Sequence, residues 1–500
     1  MQGRVILKVL GLLLMMFSTT FVPPMAIGWF EGDGTHLPFI HAWYVVLLTG
    51  LVFWLPNARI DNDLRIRDGF IIVVLFWLVL AISGAIPLTL AAQPNMSVVD
   101  AFFESMSGLT TTGATVLTGL DSLPSSILFY RQQLQWLGGM GIIVLAVAIA
   151  PILGVGGMQL FRAETPGPRS HEKLTPRITS TAKALWALYV GMTLACTLAY
   201  YLAGMSLFDA IGHGFSTLAI GGFSTHDASI GYFNSPMIEG IAIVFMIIAG
   251  MNFGLHYTAL HQVYIPRAKQ GQKHFNLRRL HLSHYIGDSE TRAFLLMILV
   301  IAIPTILLLF QSGLFTGWSE TLRQGLFQAV SIATTTGFTT SNFSLWPGLL
   351  PVLLLLASFV GGCAGSTAGG MKIVRAELLL KQGRREIQRL LHPNAVLHIK
   401  LNKRPVPDNV INAVWGFFSL YVLSFVTLAL MMMLTGEDIV TAFSATAACL
   451  NNLGPGLGNV AQNYAGITDA GKWILSFAML LGRLELFTLL VVLTPAFWKR

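Results

Sequence analysis

Apolar residues in this chain run together in long blocks rather than alternating or recurring along one helical face. A helix needs about 20 consecutive apolar residues to cross a bilayer. Ten blocks meet that requirement: 5–28, 38–56, 69–92, 132–154, 184–205, 236–260, 293–312, 347–364, 410–434 and 473–495. The pattern predicts ten membrane-spanning helices. The first block follows basic residues, as a secretory leader does, but it is long enough to span and no small-residue cleavage pattern follows. It is expected to remain as the first span.

Between these blocks lie four shorter, weakly polar segments at 97–109, 206–219, 320–334 and 438–450. Each has roughly 13–15 residues, too few to cross a membrane. Each ends in a glycine: "ESMSGLTTTGATVL", "IGHGFSTLAIGGFSTHD", "LFQAVSIATTTGFTTSN" and "FSATAACLNNLGPGLGN". Aligned on Gly113, Gly222, Gly337 and Gly454, the four windows hold register without a gap back to Asp100, Asp209, Gln324 and Thr441. Such self-similarity is the mark of an internal repeat.

Each repeat therefore reads as span, short helix, glycine loop, span. The short helix must enter the membrane and return on the same side. Non-helical backbone at that depth is tolerated only where protein buries it or water lines it. Four such hairpins in parallel units predict a ring about one axis. The expected fold is an all-α membrane protein with four parallel span–pore-helix–span repeats around one pseudo-fourfold pore, plus two extra N-terminal helices. The divisions are 1–68 for those two helices, then 69–180, 181–292, 293–405 and 406–500.

The loops supply the candidate chemistry. They read Thr111-Thr112-Gly113, Ile220-Gly221-Gly222, Thr335-Thr336-Gly337 and Asn452-Leu453-Gly454. Glycine permits a positive φ and puts no side chain into a lumen. Rings of backbone carbonyls can replace the hydration shell of a cation. Asp100, Asp209, Glu320, Glu437 and Asp438 stand near the starts of the short helices, where they complement the positive helix end. No loop carries a carboxylate at the glycine register, which disfavours an acidic ring for multivalent cations.

Charge then orients the chain. Only 11% of residues are charged, against about 25% in a soluble domain, so lipid is the main solvent. Of the 31 Lys and Arg, 27 fall at the termini or in the loops 57–68, 158–183, 265–292 and 372–404. The positive-inside rule makes both termini cytoplasmic. Arg131, Arg323 and Lys472 face the other way with twelve acidic residues; a negative mouth concentrates cations, but the positive-inside bias alone would leave the same acidic excess, so charge by itself does not identify a cation pathway. The basic loops flank spans, so topology and lipid headgroups account for them and no nucleic-acid partner is expected. "GVGGMQL" follows a span rather than a strand, so it is no dinucleotide fingerprint. Neither a paired-ligand histidine spacing nor an embedded nucleophile with a base is present, so an enzyme and an organic cofactor are not expected.

Two features interrupt the last spans. "GGCAGSTAGGMK" (Gly361, Gly362, Gly365, Ser366, Thr367, Gly369, Gly370 and Lys372 among them) cannot hold a stable helix, since each interior glycine costs about 1 kcal/mol relative to alanine. The segment is either a flexible stretch under the third loop or an ordinary kink. Arg483 is the one basic residue deep in a span. Glu485, two residues on, points to a different helix face. Arg483 is expected to face the pore below the glycine loops or to bridge to a carboxylate elsewhere.

With these motifs the whole chain resembles the Trk/Ktr/HKT superfamily of potassium transporters. Its two extra N-terminal spans are similar to the TrkH branch rather than to the shorter Ktr subunits. The resemblance implies that each repeat contributes one strand of a single K+ filter, with glycine at the key position favouring potassium. Serine in the first repeat goes with sodium, and this chain has Gly113. Loops two and four depart from a plain "TTG" string, so the ring is pseudo-fourfold. The resemblance further implies that Gly361–Lys372 is an intramembrane gating loop and supports a pore-facing Arg483. It also implies a homodimer, a cytosolic TrkA-like ring of nucleotide-binding regulatory subunits, and K+ uptake across a bacterial inner membrane. A sodium-permeable or H+/Na+-coupled symporter of the same fold is the alternative.

Overall fold

The computed structural model describes residues 2–60, 65–141, 178–264, 283–402 and 404–499. Helices account for nearly all regular structure there; the exception is a short hairpin pairing Lys400–Leu401 with Arg404–Pro405. Six helices are long and apolar enough to cross a membrane: Gly3–Glu31, His36–Asn57, Arg67–Leu90, Lys183–Leu202, Ser289–Ser312 and Asp408–Leu434. The last four open the four repeats. They are apolar around most of their circumference, as suits a helix between lipid and protein.

The second helix of every repeat is different. Ser125–Gly139 ends well short of its expected span, and residues 142–154 of that span lie outside the described residues. Pro236–Gly250 and Phe253–Leu260 meet at 95°, and Asp469–Arg483 and Phe487–Leu493 at 116°. Leu350–Val360 has only 11 residues, and no helix resumes until Ile373. The blocks 236–260, 347–364 and 473–495 are therefore not single straight helices. A glycine stands at each interruption: Gly139, Gly250, Gly361 and, one residue before Arg483, Gly482. The hydrophobic blocks 236–260 and 473–495 run on through their breaks, so block length alone concealed both.

The short helices are Val98–Leu109, Leu207–Ala219, Trp318–Ala333 and Ile439–Leu450. Local chemistry starts three of them. The Ser97 and Ser206 hydroxyls accept from the amides of Asp100 and Asp209, and Asp438 accepts from the amides of Val440 and Thr441. A side-chain cap of this kind is worth about 1 kcal/mol. Past their first turn these helices are almost wholly buried, polar Glu104, Ser105 and Ser107 included. The long helices form the outer wall, which places the short helices and their glycine loops at the centre. Gly3–Ser18 and His36–Trp54 pack on the first repeat.

Candidate functional site

The four glycine loops leave their short helices with one backbone conformation. Thr111, Ile220, Thr335 and Asn452 have φ of 54°, 53°, 65° and 52°; two residues later Gly113, Gly222, Gly337 and Gly454 have φ of 80°, 78°, 80° and 95°. Alternating handedness turns successive carbonyls toward one side of an extended strand, which is what a line of cation ligands requires. The non-glycine residues bear a cost for this, since positive φ is unfavourable outside glycine.

The strands close on one another in order. A Cβ placed on Gly113 would stand 2.0 Å from the Gly221 carbonyl oxygen, on Gly222 2.1 Å from that of Thr336, and on Gly337 2.1 Å from that of Leu453. On Gly454 it would stand 2.7 Å from that of Thr112. Each glycine therefore faces the carbonyl one residue before the glycine of the next repeat, and the fourth returns to the first. All twelve loop candidates take part in this ring or flank it. All four glycines also open into one cavity of about 620 Å³, whose lining includes His226 and Asp227. No group of three or more His, Cys, Asp or Glu placed to hold a metal ion occurs among the described residues.

Behind the ring, polar side chains replace the support that a sheet would give. Arg131 Nε meets Glu104 Oε1 at 2.7 Å with both side chains buried. Glu104 also accepts from the Val116 amide, while Arg131 donates to the Ser224 carbonyl and lies over the Phe223 ring. Gln135 donates to the Gly221 carbonyl at 2.6 Å and accepts from the Phe223 amide at 3.0 Å. Asn452 Nδ2 donates to Thr112 Oγ1 and to the Met479 carbonyl. The Tyr464 amide and hydroxyl donate to the carbonyls of Thr115 and Gly454.

Three basic residues near the short helices are paired: Arg131 with Glu104, Arg323 with Glu239 and Lys472 with Asp100. The last two join different repeats. His226 bonds Asp121 through Nδ1, stands 3.4 Å from Asp209 through Nε2, and stacks on Tyr232. Burial lowers the pKa of His226, but the neighbouring Asp209 and Asp121 outweigh it and the net shift is upward.

Beneath the ring lies the segment Gly361–Lys372, held from all sides. The Gly369 amide donates to Thr335 Oγ1, the Gly370 amide to the Asn451 carbonyl, and the Thr367 hydroxyl to the Leu218 carbonyl. The amides of Cys363 and Phe253 exchange bonds with the carbonyls of Gly250 and Gly365. The Ala364 amide donates to buried Glu290, and Lys372 Nζ to the Ala368 carbonyl. Arg483 donates to Thr111 Oγ1, the Thr367 carbonyl and the Gly138 carbonyl. Glu485 turns away through positive φ and pairs with Arg375.

The pattern of the family described as "TrkH: Cation transport protein" matches residues 36–500. The chain belongs to the TrkH family. The Trk system potassium uptake protein TrkH of Vibrio parahaemolyticus is 53% identical over the whole of both chains, and that of Escherichia coli K12 is 52% identical over the same extent. TrkG of E. coli K12 is 39% identical over 99% of each chain. The crystal structure of the potassium transporter TrkH from V. parahaemolyticus superposes with a TM-score of 0.88 over all of both chains, at 52% identity. The TrkH family comprises transport proteins rather than enzymes, and this member is a multi-pass membrane protein.

Sequence reasoning did not find Glu104, Arg131, Gln132 (whose Nε2 donates to the Phe223 carbonyl), Gln135, Glu290 or Tyr464 as supports of the TrkH site. For four of them a signal was present. "RQQLQ" places polar residues at the start of the block 132–154, and Glu290 stands three residues before the block 293–312; polar groups at membrane depth mark function by default.

Proposed function

We propose that this protein carries potassium into the cell across the bacterial inner membrane, along one pathway through the centre of the glycine ring. The single observation that carries the reading is cyclic closure: each ring glycine packs against the preceding-residue carbonyl of the next repeat, from Gly113 round to Thr112. Carbonyl dipoles so arranged suit a dehydrated monovalent cation. The filter residues are Thr111–Gly113, Ile220–Gly222, Thr335–Gly337 and Asn452–Gly454. The names of the relatives, which are potassium uptake proteins, favour potassium.

Gly361–Lys372 is the gate, and Arg483 latches it. These bonds fit a closed state, with the segment tied to residues of the second, third and fourth repeats and linked to the first through Arg483. Both termini face the cytoplasm, and a cytosolic TrkA-like nucleotide-binding ring opens the gate of a homodimer whose protomers each hold one pathway. The units divide at 69–180, 181–292, 293–405 and 406–500.

Ion flux into liposomes containing the purified chain tests this, comparing K+, Rb+, Na+ and Li+ under an imposed voltage. Flux favouring K+ and Rb+ is expected once the gate is shortened or its cytosolic partner is supplied. Equal Na+ flux would replace potassium selectivity with the sodium-permeable reading. Flux that follows an imposed proton or sodium gradient at zero voltage would mean coupled symport.

A further inference from the structure

The second residue of the loop triplet is Thr112, Gly221, Thr336 or Leu453, so only the second repeat lacks a side chain there. Thr112 and Thr336 use their hydroxyls to bond back to Thr110 and Thr334, at the ends of their own short helices. The second strand has no such tie. In its place stands Gln135 from the first repeat: a Cβ on Gly221 would lie 2.4 Å from Gln135 Cδ.

Gln135 is fully buried and both ends of its carboxamide are used. Its Nε2 donates to the Gly221 carbonyl and its Oε1 accepts from the Phe223 amide. The chemistry of the partners settles the amide orientation, because a carbonyl needs a donor and an amide N–H needs an acceptor. The two bonds bracket Gly222, the ring glycine of the second strand. The first of them also falls on the very carbonyl that the first-repeat ring glycine, Gly113, packs against.

We propose that Gln135 is a positioning residue that determines specificity: its carboxamide, entering the space left by Gly221, fixes the second strand and so sets the preference of the ring for potassium over sodium. The inference rests on the carbonyl-filter reading above. A ring discriminates between cations only if its ligands stay within about 0.5 Å of their places. A strand with no side chain at the centre of its triplet depends for that on its neighbour.

The test measures K+ and Na+ dissociation constants of the purified full-length protein by calorimetric titration, which does not require the gate to open. Gln135→Met keeps the length but loses both hydrogen bonds. Gly221→Ala keeps Gln135 but pushes its carboxamide aside. Each is expected to reduce the K+ over Na+ preference roughly tenfold, the worth of a hydrogen bond or two. The double variant Gln135→Ala with Gly221→Thr restores the threonine found in repeats one and three, and is expected to recover most of the preference.

A preference that survives both single variants overturns the role of Gln135. Gly113→Ser, measured alongside, separates the causes. If it alone shifts the preference, the filter reading stands and the Gln135 inference falls. If no variant shifts it, the filter reading falls and takes the inference with it. Should Gln135→Met fail to assemble, Gln135→Glu takes its place, since it keeps the acceptor toward Phe223 and loses the donor toward Gly221; the same two results decide.

Discussion

Arg483 donates a hydrogen bond from Nη1 to the Thr367 carbonyl at 3.2 Å, joining the break in the fourth repeat to the segment that interrupts the third. The same guanidinium reaches Thr111 beneath the first glycine loop and the Gly138 carbonyl at the break in the first repeat. One cation thereby ties three repeats at the level under the ring. A buried charge in a membrane protein needs such partners.

If this contact latches a gate, its loss favours the open state. A hydrogen bond to a charged group contributes about 1.5–3 kcal/mol, which is roughly a tenfold to hundredfold shift in a two-state equilibrium. Arg483→Gln is expected to raise basal Rb+ flux in liposomes by at least tenfold. Deleting residues between Gly361 and Gly370 is expected to act the same way. Flux at the unmodified level in both variants would leave the segment as a kink.

The ring glycines admit no side chain. A Cβ at Gly113, Gly222 or Gly337 would come within 2.1 Å of a carbonyl oxygen, closer than any real contact. Gly222→Ala is expected to abolish selective flux, because the backbone of two neighbouring strands has to move apart. The measurement is the K+/Na+ permeability ratio from reversal potentials, which should approach unity. Gly113→Ser is expected to erode discrimination against Na+ in the same assay.

Glu104 and Arg131 are buried together and hold the first and second loops through Val116 and Ser224. Removing one partner strands the other charge, at a cost of about 3–5 kcal/mol. Glu104→Ala should therefore unfold at clearly lower temperature in detergent, with a smaller loss for Glu104→Gln. A circular-dichroism melt of the two variants beside the unmodified protein checks the order.

The clamp at His226 carries a pH signature. Its pKa lies above the ordinary 6.5 because Asp209 and Asp121 outweigh burial. A raised histidine stabilises fully below its unfolded pKa, and that contribution disappears as pH rises through the folded value. Asp121 runs the other way. Burial raises its pKa, but the hydrogen bond and charge of His226 bring it below 3.8, so its contribution is lost only in acid. His226→Asn is expected to lower the unfolding temperature near pH 6 and to have little effect near pH 9, where the histidine is neutral. Equal losses at both values would mean that stacking on Tyr232, not charge, holds the loop.

The sequence by itself determined what lipid and backbone chemistry dictate. Length and apolarity marked the long helices such as Ser289–Ser312 and Asp408–Leu434, and the similar spacing of Gly113, Gly222, Gly337 and Gly454 marked four units. The limits of the short helices were legible because they are too short to span and stop a few residues before a glycine. What tertiary structure decided was which groups meet. No local rule says that Gln135 fills the space beside Gly221, that Arg483 passes over Glu485 for a carbonyl in another repeat, or that the Thr112 carbonyl closes the ring on Gly454. The breaks at Gly250 and Arg483 were hidden for the same reason. In an apolar block, a lost helical hydrogen bond is tolerated only when a neighbouring repeat satisfies the freed group, and that neighbour lies many residues away along the chain.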